Sequence, residues 1–181
     1  QAIKVTMLIS IPSAVGLFVL AKPVAMLLYP QKATVDLVAA LIRTMAAAVV
    51  FYGLSTLTNA VLQGTGKVNK PVTHAIAAWI VQTLVLVPLL LYTNMDLYAL
   101  CMATVLYAFL MCILNGVSIR KHLGYKQEMF RTFLLPFIAA FWMGLLAGGV
   151  YYGLNMLLES RLGEYTVNII CLIPSLFIAV L

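Results

Sequence analysis

Long apolar runs are the sequence feature that most constrains the fold of this chain. Several runs of about 20 residues each are long enough to cross a hydrocarbon core of roughly 30 Å as a helix. Only 9% of the residues are charged and 64% are hydrophobic, whereas soluble domains carry about 25% charged residues. The short segments of alternating polarity that a transmembrane barrel needs are absent from the sequence. The chain is therefore predicted to be an all-α, polytopic transmembrane helix bundle.

About six membrane spans follow from these runs. The first five predicted helices cover residues 5–29, 36–62, 72–92, 97–118 and 132–156, and the sixth begins near Thr166. Pro12 and Pro23 predict a bent first helix, because a proline has no backbone N–H to donate within the helix. The chain begins at Gln1 without a methionine and stops within an apolar run, so we expect it to be a piece of a larger protein.

The distribution of Lys and Arg predicts the orientation of the bundle. Basic residues gather in the connections on one side, seven against two: Lys4, Lys67, Lys70, Arg120, Lys121, Lys126 and Arg131 against Lys32 and Arg161. Since positive loops favour the cytoplasm, the second-to-third and fourth-to-fifth connections are expected there. The first helix then runs from inside to outside. This topological role explains the net charge of +6, so no nucleic-acid partner is expected.

A polar stripe that ends in a basic turn marks the second predicted helix. Ser55, Asn59 and Gln63 recur every four residues, which places them close to one helical face. Gly64 and Gly66 then end the helix. On the predicted orientation, the stripe rises from a cytoplasmic turn into the membrane, where it is expected to line a substrate path.

Three more polar residues lie inside the third and fourth predicted helices. They are Gln82 at mid-depth in the third helix, and Thr104 and Asn115 in the fourth. Amides within a membrane favour protein partners over lipid, so Gln82 and Asn115 are expected to face the bundle. The sequence leaves two roles open for these side chains, which are interhelical hydrogen bonding alone and contact with a substrate.

Two basic residues inside the spans also have two readings each. Lys22 either extends its ammonium to the membrane interface or faces a cavity. Arg43 lies seven residues after Asp36 on one helical face, so it either pairs with Asp36 or points into a polar cavity. Both are candidate contacts for a substrate.

Small residues in the fifth predicted helix indicate close helix packing. Ala140, Gly144 and Gly148 recur every four residues, and Gly149 and Gly153 repeat that spacing on an adjacent face. Small residues at this spacing let a neighbouring backbone approach closely. The fifth helix is therefore predicted to pack rather than to carry chemistry.

Catalytic and metal-binding patterns are absent from the sequence. The five acidic residues all lie at helix ends or in connections, His74 and His122 lie near predicted cytoplasmic ends, and the three cysteines lie in apolar runs. We expect no catalytic residue, no metal site, no disulfide and no cofactor. Transport is favoured instead, because bent helices and buried polar groups are tolerated in a membrane where they line a cavity. A membrane-embedded transferase or a structural membrane subunit is the alternative class.

Three segments resemble a known family of transporters. The segment 11–23 resembles the ninth helix of the lipid II flippases, in the multidrug/oligosaccharidyl-lipid/polysaccharide exporter superfamily. The segment 59–67, followed by Lys70 and Pro71, resembles the end of the tenth helix in the stage V sporulation protein B branch. Asn115 and the following Arg120-Lys121 pair are similar to the family's connection between helices twelve and thirteen.

The resemblance implies that the chain forms helices nine to fourteen of a fourteen-helix flippase and lacks the N-terminal lobe. Residues 1–131 would belong to the C-terminal lobe, and residues 132–181 to the last two helices, which form a groove for the lipid tail. The implied activity is the flipping of an undecaprenyl-linked saccharide, either lipid II or a polysaccharide repeat unit, by alternating access. The implied setting is a monomer in the bacterial cytoplasmic membrane, with membrane lipids as further partners.

A cation-coupled multidrug antiporter of the same superfamily is the alternative transport function. Such an antiporter needs a carboxylate buried within a helix, and the predicted helices carry their carboxylates only at their ends. The resemblance therefore carries over no cation site to this chain.

Overall fold

The computed structural model describes residues 2–29, 32–93, 96–123, 130–158 and 164–180. Over these residues the chain is helical, without strands. Seven α-helices follow in order: α1 (Ala2–Val19), α2 (Ala21–Leu28), α3 (Lys32–Gly64), α4 (Asn69–Tyr92), α5 (Asp96–Leu123), α6 (Leu135–Leu158) and α7 (Glu164–Val180). A short π-helical turn, Phe130–Leu134, leads into α6.

Helix length and composition confirm the predicted all-α membrane bundle. Five helical stretches in the described residues are long and apolar enough to cross a membrane, and α7 contains a shorter apolar stretch, Thr166–Phe177. Large apolar side chains such as Trp79, Leu84 and Trp142 are exposed on the helix surfaces. Such exposure is expected where lipid rather than water surrounds a helix.

The first predicted helix is two helices rather than one bent helix. Leu20 departs from helical geometry, with φ −93° and ψ 16°, and separates α1 from α2. Pro23 has no N–H to donate to the carbonyl of Val19, so one bond of the helical ladder is missing here, while the Val24 N–H still donates to the Leu20 carbonyl at 3.0 Å. The bend expected from the two prolines is therefore a break in the helix, located at Leu20.

The predicted end of the second helix is confirmed at the C-terminus of α3. The N–H of Lys67 donates to the carbonyl of Leu62 at 2.9 Å, and that of Gly66 donates to Gln63 at 3.0 Å. These two bonds form a Schellman motif. Gly66 has a φ of +77°, a conformation that residues with a Cβ rarely adopt. The turn is therefore closed by the backbone itself before α4 begins.

The broken helix connects the two halves of the bundle. On one side, α3 packs against α5, and α4 packs against α5; on the other, α6 packs against α7. α1 contacts both α3 and α6, while α2 contacts both α3 and α7. Helices α1 and α2 therefore lie between the two groups of helices and contact both.

Glycines set the distance between α1 and its two neighbours. A Cβ added to Gly53 of α3 would lie 2.5 Å from the Ser10 hydroxyl, and one added to Gly144 of α6 would lie 2.7 Å from a Val15 methyl. A Cβ at Gly148 would lie 2.9 Å from Val19. The predicted packing role of Gly144 and Gly148 is thereby confirmed, and Gly53 has the same role.

The second set of small residues on the fifth predicted helix has no neighbour of this kind. A Cβ added to Gly149 or Gly153 would meet nothing within 4 Å among the described residues. Only the face of α6 that carries Gly144 is therefore packed against α1.

Several sequence predictions concern residues that the structure does not describe. Most of the basic connection after α5, with Lys126 and Glu128, lies outside the described residues, as do Glu159 and Arg161.

We predict that Gly144→Ala destabilises the protein by about 1–3 kcal/mol, because the added methyl overpacks a contact with a stiff, β-branched side chain. Gly149→Ala is the matched control on the same helix. Its stability is expected to stay unchanged or to rise by up to about 1 kcal/mol, since alanine has the higher helix propensity. Thermal unfolding in detergent, followed by circular dichroism, measures both. Equal stability of the two variants would contradict the packing role of Gly144.

Candidate functional site

A buried polar cluster joins α3, α4 and α5 near the turn between α3 and α4. Its centre is Asn115 of α5, which is 0% exposed. The Asn115 Nδ2 atom donates to Asn59 Oδ1 at 2.7 Å and to Thr58 Oγ1 at 3.1 Å, both on α3. Since each amide proton meets an acceptor, the side chain ties α5 to α3 without unsatisfied donors.

His74 extends the polar cluster to α4. Its Nδ1 atom lies 2.9 Å from Asn115 Oδ1, and its Nε2 atom lies 3.2 Å from Ser118 Oγ. Because an amide oxygen only accepts, Nδ1 carries the proton in this arrangement. In the neutral imidazole, the Ser118 hydroxyl then donates to Nε2. One histidine thus links the start of α4 to two residues of α5, one turn apart.

The predicted polar stripe divides between the inside and the outside of the bundle. Ser55 is 4% exposed and its hydroxyl donates to the Tyr52 carbonyl of its own helix at 3.0 Å. Asn59 is half-buried within the polar cluster, whereas Gln63 is exposed at the end of α3. Within the stripe, Ser55 and Asn59 are therefore hydrogen-bonded inside the bundle, whereas Gln63 is exposed.

The other two polar residues predicted within the spans lie apart from the cluster. Gln82 is half-buried on α4. Thr104 of α5 is half-buried as well, and its hydroxyl donates to the Leu100 carbonyl of its own helix at 2.8 Å. The structure thus joins Asn59 and Asn115 directly, with Ser55 beside them, but does not bring Gln82 or Thr104 to the same point.

An apolar cavity of about 1180 Å³ lies between α1, α3 and α6. Arg43 is the one charged residue in its lining as described, and the remaining lining is aliphatic or aromatic: Ile11, Ala14, Val15, Phe18, Val19, Ala46, Ala47, Val50, Phe51, Phe133, Leu134, Phe137, Phe141, Gly144, Leu145, Gly148, Gly149 and Tyr152. From Leu134, at the end of the π-helical turn, to Tyr152 of α6, the wall of the cavity rises roughly 25 Å. This length is most of a membrane crossing.

Arg43 lies at one end of this cavity. Ser10 meets Gly53 where α1 and α3 cross, and the two helices run in opposite directions. Arg43, ten residues before Gly53, is therefore level with the region around Leu20, about 15 Å from the crossing. Of the two roles that the sequence left open for Arg43, the pairing with Asp36 is not found, and the cavity that Arg43 lines is apolar rather than polar.

Asp36 pairs with Lys22 rather than with Arg43. Lys22 Nζ lies 3.0 Å from Asp36 Oδ1, and the two side chains are 44% and 79% exposed. The pair joins α2 to α3 at the surface. An exposed pair of this kind contributes about 0–1 kcal/mol in water, so it is a weak link between the two helices.

Sequence reasoning missed a second buried polar cluster, which joins α7 to α6 and α2. The Tyr151 hydroxyl donates to Asn168 Oδ1 at 2.7 Å, and Asn168 Nδ2 donates to the Pro23 carbonyl at 3.0 Å. Asn168 is 1% exposed and Tyr151 is 4% exposed. The sequence signal was an amide inside an apolar run, as at Gln82 and Asn115, but the partner was a backbone carbonyl that no side-chain pattern reveals.

Sequence reasoning also missed how three residues complete the first cluster. It placed His74 at the membrane interface without a partner, and it did not single out Thr58 or Ser118. Thr58 and Ser118 each lie one helical turn from a predicted polar residue, Ser55 and Asn115, which is the signal that would have found them. His74 has no such neighbour among the predicted polar residues of α4. Within the described part of the chain, no group of three His, Cys, Asp or Glu residues is placed to hold a metal ion.

We predict that Asn115→Leu lowers the unfolding free energy by about 2 kcal/mol, because it removes three interhelical hydrogen bonds of about 0.6 kcal/mol each or somewhat more. Thr104→Val is the matched control on α5, since it removes only a bond within its own helix. Its stability is expected to change by less than about 0.5 kcal/mol. Thermal unfolding of the purified protein in detergent measures both variants. A loss of the same size in both would show that the polar cluster adds nothing between helices.

Comparison with known proteins places these features in a family. The family model described as "Lipid II flippase MurJ" matches residues 1–173. Neither the curated proteins nor the solved structures contain a significant match to this chain. The family match confirms the resemblance drawn from the sequence, the export of a lipid-linked saccharide as the family's function, and the bacterial cytoplasmic membrane as its location. This multi-pass membrane chain therefore belongs to the MurJ family of lipid II flippases.

Proposed function

We propose that this chain holds the lipid chain of the flipped substrate in the cavity between α1, α3 and α6, with Arg43 at the cavity end that meets the diphosphate. The observation that carries this proposal is the cavity itself, which is about 1180 Å³ in volume with a single charged residue in its described lining. A lipid-linked saccharide joins a long polyprenyl chain to a sugar through a diphosphate. The cavity offers an apolar surface for the polyprenyl chain and a cation for the diphosphate.

The shape of the cavity supports a chain-like ligand. Its wall along α6 rises roughly 25 Å, and apart from the Tyr152 hydroxyl the rings and branched aliphatic groups of its described lining have no hydrogen bond to offer. Burial of apolar surface stabilises a bound chain by about 25 cal/mol per Å², but against lipid this gain is small, because membrane lipid is itself apolar. The apolar wall thus accommodates the chain, while a polar contact has to supply the specificity.

Arg43 supplies that polar contact in the proposal. It is exposed, and no described carboxylate pairs with it, since Asp36 bonds to Lys22. A guanidinium donates to phosphate oxygens in a bidentate arrangement. On the predicted orientation, this end of the cavity faces the outer side of the membrane, so Arg43 would meet the diphosphate after it has crossed.

The remaining polar residues fall into two proposed groups. Gln63, exposed at the end of α3, half-buried Asn59 and half-buried Gln82 would contact the saccharide headgroup on its path. Asn115 would hold α3 and α5 together through its bonds to α3, and Ser55, buried with its hydroxyl bonded within α3, would have no substrate contact. Thr104 and Lys22 already have partners on α5 and α3, and the proposal gives them no substrate contact.

The mechanism, the oligomeric state and the exact substrate of the transporter are also proposed. Alternating access without covalent chemistry would move the substrate, so the chain is not an enzyme, and it would work as a monomer without a nucleic-acid partner. Lipid II is the proposed substrate rather than another polysaccharide unit. The likeness to the sporulation branch rests on residues 59–71 alone, and no finding favours a drug antiporter.

The groove between the last two helices that the resemblance implies also stays a prediction, since the described cavity is lined by α1, α3 and α6.

We predict that Arg43→Gln weakens binding of a polyprenyl diphosphate to the purified transporter in nanodiscs by about 10- to 100-fold. A hydrogen bond to a charged group contributes about 1.5–3 kcal/mol, and each 1.4 kcal/mol is about a factor of ten in affinity. Titration of the lipid, followed by native mass spectrometry or fluorescence, measures the dissociation constant.

Arg120→Gln is the matched control, because Arg120 is an exposed arginine on α5 outside the cavity. It is expected to bind the lipid as the wild type does. Arg43→Lys keeps the charge but loses the bidentate geometry, so an intermediate affinity is expected. Wild-type affinity in Arg43→Gln would remove Arg43 and the cavity from the substrate path.

A further inference from the structure

We propose that Asn168 of α7 is a positioning residue, which fixes the direction of α2 relative to α1 and thereby the shape of the Arg43 end of the cavity. The inference rests on the proposed function for its effect on the substrate, although not for the geometry itself. Asn168 would contact no substrate and would act through Pro23 and Tyr151.

The bonds of Asn168 join three helices at one buried point. Its amide nitrogen donates to the Pro23 carbonyl of α2 at 3.0 Å, and its oxygen accepts from the Tyr151 hydroxyl of α6 at 2.7 Å. The amide thus lies between α2 and α6 with both of its polar atoms in use, and it is 1% exposed. A side chain bonded on both sides in this way fixes the two partners relative to each other.

The break at Leu20 fixes the direction of α2 less firmly than a continuous helix would, because a backbone hydrogen bond is missing there. Pro23 cannot donate to the Val19 carbonyl, so one bond of the regular ladder is missing at the junction, although the Leu20 N–H still donates to Gly16 and the Val24 N–H to Leu20. The contacts of α2 with α3 and α7 therefore contribute to the angle between α1 and α2.

Of the two sides of α2, the α7 side carries the buried polar contact. Toward α3, the Lys22–Asp36 ion pair is largely exposed and weak on that ground. Toward α7, the Asn168–Pro23 bond is buried, and Leu20 packs into an apolar cluster with Tyr151, Val167 and Cys171. Toward α3, Ala21 and Ala25 also pack against Val35 and Ala39. Apolar packing of this kind is non-directional, whereas the buried Asn168–Pro23 bond has a direction.

The same cluster is adjacent to the wall of the cavity at one end. Leu20 and Tyr151 lie in the cluster, while their neighbours in sequence, Val19 and Tyr152, line the cavity. The Tyr151 and Tyr152 rings also contact each other edge to face, with centroids 5.3 Å apart. A change in the position of Pro23 or Tyr151 would therefore move the residues that line the cavity at the level of Arg43.

Two substitutions test the geometry. Asn168→Leu keeps the approximate volume and removes both hydrogen bonds, while Tyr151→Phe removes one hydroxyl and keeps the ring. Ser175→Ala is the matched control, because Ser175 is also buried on α7 but its hydroxyl donates to the Cys171 carbonyl of its own helix at 2.7 Å. Genetically encoded spin labels at the exposed positions Leu28 of α2 and Phe177 of α7 report the distance between these helices in the transporter in nanodiscs.

The distance distribution between the labels is expected to shift or broaden in Asn168→Leu, less so in Tyr151→Phe, and not in Ser175→Ala. The half-saturating concentration of a polyprenyl diphosphate is expected to rise by about 3- to 20-fold in Asn168→Leu, the factor that loss of an interhelical bond of this kind produces. The maximal transport rate is expected to change less. If Asn168→Leu does not fold, Tyr151→Phe gives the same test with a smaller effect.

Each outcome decides one part of the inference. A wild-type distance distribution in both variants overturns the positioning role of Asn168. A changed distribution with wild-type lipid affinity overturns the link from Asn168 to the cavity. Failure of the proposed function is read separately, from wild-type affinity in Arg43→Gln, because that variant leaves the Asn168 bonds in place.

Discussion

The close approach of α1 to both α3 and α6 is the contact on which the rest of the structure depends. At Gly53, Gly144 and Gly148, an added Cβ would lie 2.5–2.9 Å from an atom of α1. Between helices in lipid there is little hydrophobic driving force, so association relies on close van der Waals packing and hydrogen bonds. The three glycines provide that packing on two faces of one helix. Because α1 is held on both sides, it joins the α3–α4–α5 group to the α6–α7 pair.

The cavity forms beside the glycine contacts, where α1, α3 and α6 are no longer packed against one another. Gly144 and Gly148 bring α6 against α1, while the next glycine face, at Gly149, has no neighbour within 4 Å. The side chains of α1, α3 and α6 that lie beside the contacts then face a common apolar space. Helices that cross at close quarters leave such a space where they separate. The break at Leu20 lies near the end of this space that Arg43 occupies, so helix packing and the proposed site are parts of one arrangement.

In the part of the chain that the structure describes, two buried polar clusters hold together helices that no close glycine contact joins. Asn115 and His74 tie α3, α4 and α5, and Asn168 ties α7 to α6 and α2. In each cluster an asparagine uses both its donor and its acceptor, because an unsatisfied amide in a lipid environment is costly. Interhelical bonds of this kind contribute about 0.6 kcal/mol each on average. These bonds are directional as well as stabilising, so each fixes the orientation of one helix relative to its neighbour.

The sequence by itself determined the class of the protein and most of its helices. Run length and low charge gave the membrane bundle, Gly64 and Gly66 gave the end of α3, and the spacing of Gly144 and Gly148 gave a packing face. These predictions succeed because they depend on properties local to one helix: its length, its periodicity and its terminating residues. The family followed from short segments of the same kind and is confirmed over residues 1–173.

Only the tertiary structure decided which residues meet. Asp36 bonds to Lys22 rather than to Arg43, because α2 packs beside the start of α3. Asn168 bonds to a carbonyl 145 residues away in the chain, a partner that no periodicity encodes. The apolar character of the Arg43 cavity likewise comes from three helices together. Spacing along one helix gives the face on which a side chain lies, whereas its partner depends on how separate helices cross.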